Sequence, residues 1–313
     1  WDMYHTKAHI NLIVCGSIFS MMTKIFKDKK EPLYNRQTRF MSIKPFTPAV
    51  LKEIMEEYNP NYTAEDLLAL YSFTGGVAKY VQLLVDAGAT TKTKMLNHII
   101  KADSVFLGEG KAILIEEFGK DYGVYFSILS AIARGKTLRS EIEQIVGREI
   151  GGYLTKLEKE YEVMTKNQPI FEKSSTKNVR YTIEDNFFTF WFRFIYKYNY
   201  MLEIENYDAV KTIINRDYET FSGKMLERYF KRVLMESKAY TRIGSWWDRK
   251  GENEIDIVAE NELNDEAVFI EVKRKEDNFD AIALNEKVDV FTRATGKFKD
   301  YAVSQKGLSM TDM

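Results

Sequence analysis

The chain has 313 residues, of which 45% are apolar and 29% charged, and its formal net charge is −1. That length leaves room for roughly two or three domains with ordinary cores. The near-neutral balance excludes a global pull toward nucleic acid or anionic membrane and leaves such binding to a local basic patch. The single cysteine, Cys15, excludes an intramolecular disulfide and a multi-cysteine zinc site and fits a reducing, cytoplasmic setting. No uninterrupted apolar run reaches the roughly 20 residues of a membrane helix, so no membrane partner is expected.

The opening Trp1-Asp2-Met3-Tyr4 leads within ten residues into an apolar run, Ile10 to Cys15, closed by Gly16-Ser17. Such a run reads as a buried parallel strand, followed by a helix at 18–27. A parallel strand needs neighbours, so the expectation is a fragment whose companion strands lie upstream. A loop and a short strand ending at Pro45-Phe46 occupy 34–46. From Thr47, a good N-cap with Pro48 at the first helical position, the pattern turns helical. Helices are expected from there and at 63–72, 76–87 and 92–117, broken by Gly75-Gly76 and Gly88.

Three shorter helices follow, at 124–133, 138–146 and 149–161, each with an apolar stripe such as Tyr125, Ile128, Leu129 and Ile132. Polar strands at 162–165, 169–173 and 178–183 come next. Three helices and a wing make a winged helix, a variant of the helix-turn-helix. Its third helix mixes charge signs, while the wing offers Lys166, Lys173, Lys177 and Arg180 for DNA contact. An aromatic helix at 186–200 and a long helix at about 217–236 lead to strands at 239–247, 253–260 and 266–274. A helix at 281–294 and a strand at 299–304 complete an α/β unit.

Several phrases, taken in order, resemble one family. They are Leu12-Ile13-Val14-Cys15-Gly16-Ser17, Pro32-Leu33-Tyr34-Asn35-Arg36, Lys44-Pro45-Phe46, Thr74-Gly75-Gly76-Val77-Ala78-Lys79-Tyr80, Tyr181-Thr182-Ile183-Glu184-Asp185, Phe190-Trp191-Phe192-Arg193-Phe194, Glu254-Ile255-Asp256 and Glu271-Val272-Lys273. Together they are similar to the archaeal-type ATPases of the AAA+/STAND kind that carry an uncharacterised C-terminal domain. The resemblance implies a multidomain α+β / α/β fold. Residues 1–46 would be the tail of the ATPase α/β core, 47–118 a helical lid, 119–200 the winged helix, and 201–313 a restriction-endonuclease-like α/β domain. It also implies that Ser17 stands at the sensor-1 position and that Arg36 serves the nucleotide as a phosphoryl-stabilising arginine, with Asn35 where the family has glycine. No G-x-x-x-x-G-K-[ST] and no acidic Walker B strand occur in the chain. ATP binding is therefore expected only of an intact protein that carries a P-loop.

The residues with chemistry lie near the end. In 253–260, Ile255, Ile257 and Ala259 alternate with Glu254, Asp256 and Val258, which puts Asp256 on the face opposite the isoleucines. In 266–274, Val268, Ile270 and Val272 point one way and Phe269, Glu271 and Lys273 the other. Glu271 and Lys273 then share a face, roughly 6.5–7 Å apart. If the two strands pair, Asp256, Glu271 and Lys273 cluster, and Glu227 on the preceding helix can face the sheet edge. Helix-Glu, strand-Asp and strand-Glu-x-Lys in that order resemble the PD-(D/E)XK nucleases. Glu227, Asp256 and Glu271 would hold Mg²⁺, which prefers hard oxygen ligands, and Lys273 would steady the charge.

Arg242, Trp246, Trp247, Arg249, Lys250, Arg274 and Lys275 surround this motif. They offer phosphate contact and base stacking, or, for at least one tryptophan, packing of the sheet edge. The functional expectation is a Mg²⁺-dependent DNA-processing or DNA-binding domain governed by the ATPase. The alternative is a regulatory or signalling ATPase whose winged-helix and nuclease-like domains are inactive scaffolds that bind protein or nucleic acid, and a third reading is a structural fragment with no activity alone; a protein partner or self-association fits either. His5, His9 and His98 have no metal-site spacing.

Overall fold

The computed structural model describes residues 13–16, 19–173 and 175–313. Residues 13–15, the described part of the run expected to be a buried strand, have no regular structure, and Ile13 is 88% exposed. An apolar run becomes a strand only where a neighbour takes its backbone groups, and none of the described residues does so here. Helix α1 (Phe19–Lys27) follows. No strand forms in 34–46 either. Asn35 turns the chain at φ 53°, a left-handed conformation that asparagine tolerates.

The helical stretch begins as expected. Thr47 Oγ1 accepts the Val50 N–H at 3.3 Å, and Pro48 opens α2 (Pro48–Tyr58). Next come α3 (Ala64–Thr74), closed at its start by a reciprocal Thr63/Asp66 cap, and α4 (Ala78–Asp86). The single helix expected over 92–117 is two, α5 (Lys92–Ile99) and α6 (Val105–Phe118), parted where Asp103 adopts φ 55°. Gly75 and Gly76 both have positive φ. A Cβ on Gly76 would stand 2.4 Å from the Phe46 carbonyl oxygen, and one on Gly75 would stand 2.9 Å from Asp185 Oδ1. Three segments distant in sequence meet there, which explains the glycine pair without any ligand.

Helices α7 (Tyr122–Ala133), α8 (Arg139–Val146) and α9 (Gly151–Lys159) precede an antiparallel hairpin, β1 (Met164–Asn167) and β2 (Arg180–Ile183). The expected strand at 169–173 is instead a docked loop. The aromatic stretch is not one helix but α10 (Asn186–Phe190), a π-helical segment (Trp191–Tyr196) and α11 (Asn199–Glu203). Helix α12 (Tyr207–Ser237) starts earlier than the apolar stripe implied, because the Asn206 side chain caps it by accepting from Ala209 N–H.

The sheet holds β3 (Arg242–Trp247), β4 (Glu254–Asn261), β5 (Glu266–Val272) and β6 (Ala302–Leu308), in that order. The first three are antiparallel, and α13 (Ala281–Thr295) carries the crossover to β6, parallel to β5. The last strand lies three residues beyond the start expected at 299. Helix α12 covers one face, where Ile257, Ile270 and Val272 join Leu226 and Phe230. Helix α13 covers the other, where Ile255, Val258 and Phe269 join Leu284, Val288 and Phe291. The α12-side core continues without a break to Leu129, Phe73 and Leu51, so the helical units and the sheet share one interior.

The loop between β1 and β2 closes the sheet's β3 edge. Ile170 N–H donates to Ser245 O at 2.9 Å, and a Cβ on Gly244 would stand 2.9 Å from Ile170 Cβ. A covered edge cannot template further pairing.

Within α6, Gly110 is pressed against Trp191, whose ring would lie 2.5 Å from a Cβ, while Gly108 faces open space. Gly110→Ala is expected to lose about 1–3 kcal/mol by overpacking. Gly108→Ala should gain about 0.5–1 kcal/mol by relieving helix entropy. Urea unfolding of the two variants checks the opposed signs.

Candidate active site

The geometry of the site follows from an irregularity in β4. Gly244 pairs with Val258 and Trp246 with Ile255, so two β4 residues, Asp256 and Ile257, oppose the single Ser245. A bulge of this kind shifts the alternation by one residue and re-aims a side chain. Ile255 therefore faces α13 and Ile257 faces α12, against the expectation that both isoleucines share a face. Asp256 comes to lie on the α12 side, close enough for its charge to act on Glu227. On β5 the expected alternation holds: Val268, Ile270 and Val272 meet the α12-side core, and Phe269 meets the other.

Beyond Ile257–Ile270 the β4–β5 ladder stops. There Asp256 Oδ2 accepts the Val272 N–H at 2.8 Å, and a side chain takes the bond a strand would have taken. Glu271, 7% exposed, turns toward α13 and is held at Oε1 by Lys273 at 2.7 Å and Lys287 at 2.9 Å. Glu227 projects from α12 and pairs with Lys224 at 3.0 Å. Lys224 also lies 3.9 Å from Glu254. The four residues read from the sequence thus meet at one end of the sheet, as two linked groups around the tip of β5. Glu227 and Asp256 stand on the α12 side, and Glu271 and Lys273 turn toward α13.

Their charges are felt across the tip. Burial pushes the Glu227 carboxyl up to about 7, with Lys224 opposing and Asp256 adding to the rise. Burial also raises Asp256, opposed by the Val272 N–H and reinforced by Glu271. For Lys273, burial alone would lower the ammonium. Its bond to Glu271 and the fields of Asp256 and Glu227 outweigh that and raise it. A cleft of about 750 Å³ opens beside the group, lined among others by Glu65, Lys224, Glu227, Lys273, Arg274 and Lys275.

The donors are all carboxylate oxygens, the type a hard divalent cation takes. As they stand, no three His, Cys, Asp or Glu side chains among the described residues are grouped to hold one ion. Lysines fill the positions between them.

The other candidates fall elsewhere. Ser17 lies outside the described residues. Arg36 sits in an exposed turn, where its N–H bonds Leu33 O at 3.1 Å. Trp246 and Trp247 are 3% and 5% exposed, so neither offers a face for stacking a base. Trp246 packs edge-on to Phe291, while Trp247 donates to Asn178 Oδ1 at 2.9 Å beneath Arg180. Arg180 also pairs with Glu254 at 2.9 Å, which takes it from the basic set expected to contact DNA. His5 and His9 are outside the described residues, and His98 neighbours Lys101. Sequence reasoning missed Lys224 and Lys287. Lys224 was within reach, three residues before Glu227 on the same helix face. Nothing local could reveal Lys287, which arrives through the crossover.

Comparison with known proteins bears on the same region. Residues 191–300, which contain all four motif residues, match DUF234, described as archaea bacterial proteins of unknown function. The chain is also 32% identical over 290 residues to the uncharacterized protein MJECL04 of Methanocaldococcus jannaschii, an alignment covering 88% of this chain. It spans 62% of that relative's length. No solved structure matches. Among the described residues no helix is long and apolar enough to cross a membrane.

The raised carboxyls have a consequence for stability. Folded Glu227 holds its proton to about 7, against 4.5 when unperturbed. The folded state thus keeps a proton that the unfolded state gives up. This contribution to stability is full below 4.5 and is lost as pH rises through 7, and the raised Asp256 acts in the same direction. Glu227→Gln removes it. Urea midpoints at pH 4.5 and 8 should show the variant gaining on the wild type at the higher pH. Parallel midpoints would contradict the assignment.

Proposed function

We propose that the C-terminal α/β unit acts on phosphodiesters with the help of a divalent cation, as the resemblance to PD-(D/E)XK nucleases implies. The observation that carries this reading is the meeting of Glu227, Asp256, Glu271 and Lys273 at the open end of the β4–β5 pair, beside a cleft whose lining includes Lys224, Lys273, Arg274 and Lys275 together with Glu65, Glu219 and Glu227. Glu227 and Asp256, which share the α12 side, would hold Mg²⁺, and Glu271 would join them only by leaving Lys273 and Lys287. A bound cation of this kind supplies an activated water and offsets charge on the phosphoryl oxygens. Lys273, now paired with Glu271 at 2.7 Å, would be the ammonium available to a substrate phosphate if that pair opened. Lys224, Lys273 and Lys275 line the cleft and track the backbone of the nucleic acid. The buried tryptophans leave base stacking out, so recognition rests on phosphate. ATP binding would belong, on the resemblance to the archaeal-type ATPases, only to an intact protein that carries a P-loop.

A second reading has its own observation. Lys273 and Lys287 clamp Glu271, and Lys224 holds Glu227, so the lysines do electrostatically what a cation would do. On that reading the unit is a scaffold that binds DNA or a protein without cleaving.

Titration of the chain with Mn²⁺, followed by incubation with single- and double-stranded DNA, separates the two. The nuclease reading expects Mn²⁺ binding weakened about 10-fold or more by Asp256→Ala. It also expects cleavage reduced about 100-fold or more by Lys273→Ala with Mn²⁺ binding retained. DNA binding without Mn²⁺ uptake or cleavage would favour the scaffold.

A further inference from the structure

We propose that Glu65, on a helix far from the sheet in sequence, is a positioning residue for this site. In this proposal the site is complete only when the N-terminal helical unit is docked against it. The inference rests on the nuclease reading and deepens it.

The structural basis is the residue next to Lys273. Arg274 leaves β5 toward the opposite side. Its Nη2 donates to Glu65 Oε2 at 2.6 Å, its Nη1 donates to Ser222 Oγ, and its guanidinium lies 5.6 Å from the centre of the Tyr218 ring. Glu65 is not held by Arg274 alone. Lys92 reaches its other oxygen, Oε1, at 3.2 Å and lies 4.7 Å from the same Tyr218 ring. One carboxylate is thus bridged by two cations, and both cations flank one buried tyrosine. Both Glu65 and Arg274 are largely shielded, at 26% and 18% side-chain exposure.

This interlock joins α3 and α5 of the helical unit to α12 and to the exit of β5. Tyr218 and Ser222 stand on α12 about two and a half and one and a half turns before Glu227, so the same contacts fix the helix that presents Glu227. The strand exit has few other ties. Lys273 N–H donates to Leu308 O at 2.9 Å, and beyond it Arg274 is the next anchor. Because Lys273 and Arg274 are adjacent, holding the guanidinium sets where the backbone of Lys273 stands, and with it the reach of the ammonium. Glu65 and Arg274 also line the cleft, so the helical unit contributes part of its wall. A misplacement of about 1 Å in such a group can cost 100-fold in rate.

The test uses the whole chain, Mn²⁺ and a fluorophore-quencher duplex oligonucleotide, well below the unfolding temperature of every variant. Glu65→Gln keeps the shape and removes the charge that holds Arg274. We expect kcat to fall about 10- to 100-fold, with KM and Mn²⁺ affinity within about two-fold of wild type. Arg274→Lys keeps a charge without the planar fork and should fall in between. A purely structural role would lower the unfolding temperature and leave kcat per folded molecule intact, and that result overturns the inference while leaving the nuclease reading in place. A wild-type chain that neither binds Mn²⁺ nor cleaves overturns both.

Discussion

Everything in the site depends on where β4 stops being a regular strand. One extra residue opposite Ser245 puts Asp256 and Ile257 on the same side of the sheet. Ile257 then fills the core under α12, and Asp256 is driven to the rim beside Glu227. The ladder to β5 ends at the same point, and the Asp256 carboxylate takes the Val272 N–H that would otherwise go unpaired. A carboxylate fixed by a backbone donor, next to a second carboxylate on a packed helix, is costly to assemble. It is tolerated because lysines surround it. A regular β4 would send Asp256 to the α13 side, away from Glu227.

The architecture around that point is more continuous than a series of units would suggest. The core under α12 runs into α10, α7 and α3 without an intervening polar layer. The β1–β2 loop is spent on covering β3, through Ile170, Phe171 and Asn178, and holds Trp247 in place. Arg180 stacks on that tryptophan and pairs with Glu254, which in turn lies near Lys224. The hairpin therefore supports the sheet that bears the site. Among the described residues, the helices from α2 to α12 and the α12-facing side of the sheet pack around one continuous core.

Much of this was legible in the sequence, and the exceptions have physical causes. The order of Glu227, Asp256 and Glu271-Val272-Lys273 could be read because each sits on a clear helix or strand pattern. The face of Asp256 was misread because strict alternation assumes an unbroken ladder, and a bulge of one residue leaves no mark in the hydrophobic pattern. The run Ile13-Val14-Cys15 looked like a buried strand, since apolar sequence records propensity and not the presence of a neighbour. Helix α12 was read short because its first turns are set by the Asn206 cap and by contacts with the helical unit, not by a continuous stripe. Trp246 and Trp247 beside basic residues suggested a binding surface. Their burial depends on a loop some seventy residues earlier, which no local window contains. Lys287 and Glu65 are absent from the sequence reading for the same reason: both arrive by tertiary contact.

The measurement that tests the account most directly is anomalous diffraction from crystals of the chain soaked in Mn²⁺. The account expects a peak at the rim of the sheet within coordinating reach of Asp256 and Glu227, with the Lys273 ammonium displaced from Glu271. Crystals that take up no Mn²⁺ there, with Glu227 and Glu271 still held by their lysines and Asp256 by the Val272 N–H, would contradict it.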